Sequence, residues 1–166
     1  MADPAEIIAT LVRAGATVAT AESLTGGLVA AALTAVPGAS AAVRGGVVAY
    51  ATDLKHELAG VPADALRRDG PVAATTAGAM AAGVRRRCAA TYGVATTGVA
   101  GPDAQDGHPP GTLHVAVAGP DGVRVESVTG LPGDRAAIRQ AAVQHALDLL
   151  AQAITEARES PPRSGR

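Results

Sequence analysis

The chain has no phenylalanine, no tryptophan, two tyrosines, one cysteine and one lysine in 166 residues. Each scarcity excludes something. Without large aromatic rings the core must be assembled from Ala, Val, Leu and Ile, so its elements have to approach one another closely. Two tyrosines are too few for a base-stacking surface, and a formal net charge of −1 gives no electrostatic reason to expect nucleic acid. A lone cysteine, Cys88, cannot form an internal disulfide, which fits a reducing cytoplasm; it reads as a small buried thiol in a helix. No uninterrupted apolar run reaches the roughly 20 residues a membrane span needs, and the first residues lack the basic and apolar regions of a secretory signal. The four histidines, His56, His108, His114 and His145, are scattered and form no metal-ligand pattern. There is no P-loop and no dinucleotide-binding glycine fingerprint after a strand.

What remains is 48% hydrophobic, with 20 glycines and 11 prolines as punctuation. A chain of this length suits one domain with a sizeable core. Helix 4–14 is expected to start from Asp3 as cap and stop at Gly15, with Ile7, Ile8, Leu11 and Val12 as its apolar face. Strand 16–21 follows, then helix 26–35, strand 43–50, short helices 54–59 and 63–68, and a long helix 75–92. Thr52 or Asp53 is the expected cap of the first short helix. The long helix carries Arg85, Arg86 and Arg87, read as a solvated basic end that suits the helix dipole. An apolar strand 93–99 leads into a Gly/Pro/Asp loop over 100–111. Two alternating strands, 112–118 and 123–128, are joined by Gly119-Pro120-Asp121-Gly122, a hairpin signal. A last helix, 134–157, buries a stripe of Ile138, Ala141, Ala142, His145, Leu149 and Ile154, and residues 159–166 read as a frayed tail. The order predicts an α/β fold, a mixed sheet with a C-terminal antiparallel hairpin and helices on both faces.

Four clusters could carry chemistry. Ala21-Glu22-Ser23-Leu24-Thr25-Gly26-Gly27 places a hydroxyl where a strand gives way to a helix. Loops there line the ligand crevice of open α/β sheets, and helix-start N–H groups can hold an anion or an oxyanion. Ser23 and Thr25 are equally good helix caps, and Glu22 either orients a partner or is solvated. Lys55 follows Tyr50-Ala51-Thr52-Asp53-Leu54; every other basic residue is arginine, so surface charge has an obvious supplier. A desolvated lysine can lose its proton and activate a serine, which arginine cannot do; the competing reading is an ordinary surface lysine. Thr97 and Gly98 close the third strand, and Gly101 belongs to the turn after it, which suits a phosphate or carboxamide as well as a plain turn. Arg135 and Arg139 share a helix face behind Gly133-Asp134, either as a phosphate clamp or as exposed charge.

Together AESLTGG, RGGVVAYATDLK, TGVAGPDAQDGHPPGT and GDRAAIR resemble the CinA C-terminal domain family, whose enzymes are nicotinamide-nucleotide amidohydrolases. The resemblance implies a three-layer α/β/α sandwich that hydrolyses nicotinamide mononucleotide to nicotinate mononucleotide and ammonia in the cytoplasm. It implies no metal or organic cofactor and a homodimer or larger homo-oligomer, while composition and charge lead to the expectation of no nucleic-acid or membrane partner. Ser23 matches the family's nucleophile and Lys55 its base, while Tyr50, Thr97 and Arg135 match further site positions. Thr25, Gly26, Gly27, Gly98 and Gly101 are the expected substrate-binding residues of the two glycine-rich loops. The family often has Cys after the serine, where this chain has Leu24. The competing functions are a non-catalytic nucleotide-sensing or partner-binding protein linked to competence or DNA damage, and an amidase for another small carboxamide.

Overall fold

A computed structural model describes residues 1–159. The first helix, α1 (Pro4–Arg13), starts as its sequence dictates: the Asp3 carboxylate accepts the Ala5 N–H at 2.9 Å, and Pro4 occupies the first turn. Strand β1 (Val18–Glu22) follows, and its five residues are all buried. After α2 (Leu28–Thr34) and a single 3₁₀ turn (Ala39–Ala41), β2 (Val43–Val48) pairs parallel to β1. Three helices come next, α3 (Thr52–Glu57), α4 (Ala63–Asp69) and α5 (Ala74–Arg87). Strand β3 (Tyr92–Val99) then pairs parallel to β1 on its other side. The antiparallel hairpin of β4 (Thr112–Gly119) and β5 (Gly122–Val128) extends the sheet, and α6 (Arg135–Glu159) closes the chain. The strand order is β2-β1-β3-β4-β5.

The sheet's two faces differ in side-chain size, and this is how a core without large aromatics is filled. Val18, Val94, Leu113, Val115 and Val117 face α1, α2 and α6, where they meet Ile7, Leu11, Val29, Leu33, Ile138 and Leu150. The intervening residues Ala19, Ala21, Ala95, Ala116 and Ala118 face α5 and meet Ala77, Met80, Ala81 and Val84. Alternation of the strand side chains sorts large from small. The small face lets α5 come very near: a β-carbon on Gly93 would stand 2.1 Å from the Ala81 carbonyl oxygen. The result is an α/β fold whose mixed sheet is covered on both sides.

Several boundaries depart from the sequence expectation. The helix expected over 75–92 ends at Arg87, because Ala89 takes a left-handed conformation (φ 48°) and turns the chain. Tyr92 therefore opens β3, anchored where the Thr17 N–H donates to Thr91 Oγ1 and the Thr91 N–H to Thr17 Oγ1, each at 3.0 Å. The basic end is only partly solvated: Arg85 donates to the Thr91 carbonyl and Arg87 to the Glu57 carbonyl. Cys88 is half-buried in the turn just past this helix. Strand β1 runs one residue further than expected and takes Glu22 into the sheet, whereas β2 stops at Val48. Helix α3 starts at Thr52 with Ala51 in the capping position and no side-chain cap. Within α6, Ala141 and His145 are only half-buried, and Ala146, Leu150 and Ala153 complete the stripe. Of the expected tail 159–166, Glu159 ends α6 and the remainder lies outside the described residues.

The connection after β1 leads to β2 on one side, and the chain returns to place β3 on the other. Loops leaving the carboxyl ends of β1 and β3 therefore diverge, and a crevice opens between them. Among the described residues no helix is long and apolar enough to cross a membrane.

Candidate active site

The β1–α2 connection is a tight turn that only this sequence of glycines permits. Gly26 (φ 58°) and Gly27 (φ 102°) are both left-handed, a conformation a β-carbon resists. The Ser23 N–H donates to the Thr96 carbonyl at 3.0 Å, and the Ser23 carbonyl accepts from Gly26 at 3.0 Å. These bonds tie the backbone of Ser23 to β3 and leave its hydroxyl at the crevice. From the opposite side Lys55 of α3 reaches inward. Its Nζ donates to Ser23 Oγ at 3.0 Å, to the Ala49 carbonyl at 2.9 Å and to the Tyr50 carbonyl at 3.3 Å.

Lys55 is 2% exposed, among the largest fully buried side chains of the protein. Burial lowers its pKa from 10.5 to about 8, against the opposing pull of the Asp106 carboxylate. An ammonium here has three oxygen acceptors for its three protons. A neutral amine keeps two donors for the carbonyls and turns a lone pair toward the Ser23 hydroxyl, the arrangement of a nucleophile beside its base.

The crevice is a narrow, mostly polar cleft of about 70 Å³, smaller than the usual range of small-molecule sites. Tyr50 stands at its mouth, 58% exposed, and its hydroxyl accepts from Arg135 at 2.8 Å. The same guanidinium donates to the Gly101 carbonyl at 2.8 Å, so Arg135 clasps the loops after β2 and β3 together. The Thr97 hydroxyl donates to the Pro71 carbonyl at 2.7 Å and fixes the segment before α5 against β3. Gly98 is required for closeness: a β-carbon there would stand 2.3 Å from the Thr112 carbonyl oxygen. In loop 100–111, Asp106 (φ 51°) and Gly107 (φ 80°) form the tip of a two-residue hairpin closed by reciprocal Gln105 and His108 backbone bonds. Its left-handed pair is the type I′ geometry that Asp-Gly favours.

Seven of the residues singled out in the sequence line this one cleft: Ser23, Tyr50, Lys55, Thr97, Gly98, Gly101 and Arg135. Three do not. Thr25 is fully buried, its hydroxyl held between Glu22 Oε2 (2.6 Å) and Thr96 Oγ1 (2.7 Å). The Gly26 N–H is spent on Ser23, and the Gly27 N–H donates to Glu22 Oε2 at 3.1 Å. The start of α2 is thus occupied by the protein's own carboxylate, and the Gly26 and Gly27 N–H groups are already paired; neither Ser23 nor Thr25 is its cap. Arg139 donates to the Leu24 and Thr25 carbonyls, so it braces the nucleophile turn instead of reaching a ligand phosphate.

Sequence reasoning gave no individual role to Leu24, Pro71, Val72, Val99, Ala100, Asp103 and Gln105, which complete the lining. The Asp106-Gly107 dipeptide was a legible hairpin signal inside the loop. Glu22 was legible too, as a charge at the end of an otherwise uncharged strand. No group of three or more His, Cys, Asp or Glu side chains able to hold a metal occurs among the described residues.

Comparison with known proteins gives a consistent picture. The profile of the CinA C-terminal domain matches residues 3–154. A CinA-like protein of Frankia casuarinae is 58% identical over 144 residues, 87% of this chain and 33% of that protein. A CinA-like protein of Gloeobacter violaceus is 50% identical over 148 residues, 88% of this chain and 35% of that one. The chain thus spans about a third of the length of these curated relatives. Among solved structures, a competence-damaged protein (CinA) superfamily protein of Escherichia coli aligns with a TM-score of 0.85 at 30% identity, covering 90% of this chain and 87% of its own. The competence/damage inducible protein of Agrobacterium tumefaciens aligns at 0.84 with 37% identity, over 93% and 97%.

Proposed function

The chain belongs to the CinA C-terminal domain family, and from the buried Ser23–Lys55 pair we propose that it is an amidohydrolase that releases ammonia from the carboxamide of nicotinamide mononucleotide. One observation carries the reading: a primary amine, 2% exposed with its pKa lowered to about 8, lies 3.0 Å from a serine hydroxyl in a cleft. A surface lysine has no reason to be held in this way, and the desolvation raises the fraction of neutral amine available near neutral pH.

In this reading neutral Lys55 takes the Ser23 proton as Oγ attacks the carboxamide carbon. Such a base is typically worth about 10²–10⁴ in rate. The oxyanion is held by the N–H of Leu24, beside the nucleophile, and by those of the 98–101 segment, since Gly26 and Gly27 have committed theirs. One donor of this kind is worth about 10²–10³. The Lys55 ammonium then protonates the departing ammonia, and water hydrolyses the acyl-enzyme with Lys55 again as base. Arg135, spanning Tyr50 and Gly101, presents its remaining guanidinium protons to the 5′-phosphate. The reading includes a cytoplasmic site of action and self-association into a homodimer or larger oligomer, the latter measurable by light scattering.

The test is ammonia release from nicotinamide mononucleotide, free nicotinamide and glutamine, with Ser23→Ala as the control. Ammonia from the nucleotide alone, abolished in the variant, is the expected result. Release from free nicotinamide at a similar rate would assign a different carboxamide. Tight binding of the nucleotide with no ammonia would replace the hydrolase with a nucleotide-binding protein.

A further inference from the structure

Glu22 takes no part in the steps above, yet it is the only buried acidic side chain among the described residues, at 1% exposure. Its Oε2 accepts the Thr25 hydroxyl at 2.6 Å, the Gly27 N–H at 3.1 Å and the Val29 N–H at 3.0 Å, while Oε1 accepts the Ala30 N–H at 2.8 Å. Because the Thr25 proton is given to Glu22, the 2.7 Å contact of Thr25 with Thr96 is made by the Thr96 hydroxyl as donor. Thr96 in turn holds the Ser23 N–H through its carbonyl. On the other side, the Glu22 carbonyl accepts the Ala49 N–H at 2.9 Å, and the Ala49 carbonyl is one of the three oxygens that hold Lys55 Nζ. Hydrogen bonds therefore link the same residue to the nucleophile, through Thr25 and Thr96, and to the amine, through Ala49.

We propose that Glu22 is the positioning residue of the nucleophile turn: its carboxylate, drawn against the first turn of α2, keeps Ser23 in line with Lys55 and bars anions from the α2 amides. This rests on the Ser23–Lys55 reading above. The chemistry explains why a glutamate and not another residue suits the place. Aspartate is one methylene too short to span Thr25 and Ala30 together. Glutamine can keep one oxygen on the three Oε2 donors, but its NH₂ then faces the Ala30 N–H, donor against donor. A lost partner of this kind leaves a buried polar group unpaired and the turn free to shift.

The experiment reads Ser23 itself and needs no knowledge of the substrate. A small alkyl fluorophosphonate labels a nucleophilic serine: the Oγ–P bond forms, fluoride leaves with the bonding pair, and the serine proton passes to Lys55. Labelling rates are followed by intact-protein mass spectrometry between pH 6 and 10. Glu22→Gln is expected to slow labelling about tenfold or more, since displacements near 1 Å are enough to cost that factor, with its pH midpoint at the wild-type value. Thr25→Ala, which leaves the carboxylate on α2 and cuts only its link to Thr96, is the milder variant and should slow labelling about threefold. Leu147→Ala, in the core away from the cleft, controls for stability: it should lower the melting temperature and leave labelling unchanged. Wild-type labelling rates in both Glu22→Gln and Thr25→Ala overturn the proposal, as does equal slowing in Leu147→Ala. A wild-type protein whose Ser23 never labels refutes the nucleophile reading instead.

Discussion

Raising the pH from 6 to 9 titrates the amine on which the proposed chemistry depends. With the Lys55 pKa at about 8, the neutral fraction is about 1% at pH 6, about 9% at pH 7, half at pH 8 and about 90% at pH 9. If neutral Lys55 is the base, kcat/KM for nicotinamide mononucleotide rises about ninefold from pH 6 to 7 and about fivefold from pH 7 to 8, then levels off. The Asp106 carboxylate favours the ammonium, so Asp106→Asn moves the midpoint below 8. Ammonia release at pH 7 then increases, by no more than about elevenfold, because that factor converts all of the amine to the neutral form. Above pH 9 the two proteins should coincide. Steady-state ammonia assays at constant ionic strength across the range decide the matter. A profile that is flat from pH 6 to 9, or a midpoint that rises in Asp106→Asn, refutes neutral Lys55 as the base.

The same titration acts on stability. In the unfolded chain the amine has its ordinary pKa of 10.5, and in the fold it titrates near 8. Below pH 8 both states are protonated and the fold carries the whole cost of an ammonium in a dry place; between 8 and 10.5 the unfolded state binds more protons, so stability rises with pH. The gain is about 2–3 kcal/mol after allowance for solvent screening, read as an increase in the urea midpoint from pH 7.5 to 10 relative to Lys55→Met. Lys55→Arg keeps the charge and loses the basicity, so ammonia release should fall by about 10²–10³ with an unchanged circular dichroism spectrum; retention of more than about a tenth of the activity would contradict a base role. Gly83→Ala improves helix propensity by about 1 kcal/mol, but its β-carbon would stand 1.8 Å from the Ala59 carbonyl oxygen. Overpacking typically costs about 1–3 kcal/mol, and against backbone the upper end applies, so the melting temperature should fall by several degrees; a rise would refute the close-packing account of α5.

Local sequence set most of the elements, because their signals act within a few residues. Asp3 and Pro4 start α1, the alternation over 112–128 makes the terminal hairpin, and Asp134 Oδ1 accepts the Ala137 N–H at the head of α6 as its sequence suggests. The sole lysine and the serine at a strand end were legible from residue type and place, whereas the site roles of Tyr50, Thr97 and Arg135 came from the resemblance to the CinA C-terminal domain family. Register and burial were not legible. Whether Glu22 was solvated or buried depended on β1 running one residue further, and that was decided by its pairing with Val48 and Thr96. Once Glu22 lay inside, its carboxylate had to find donors, and it took the helix-start N–H groups that the sequence offered to a ligand. Sequence thus determined which groups were available for chemistry; only the packed sheet decided which of them remained free, because a buried charge claims its hydrogen bonds before any substrate arrives.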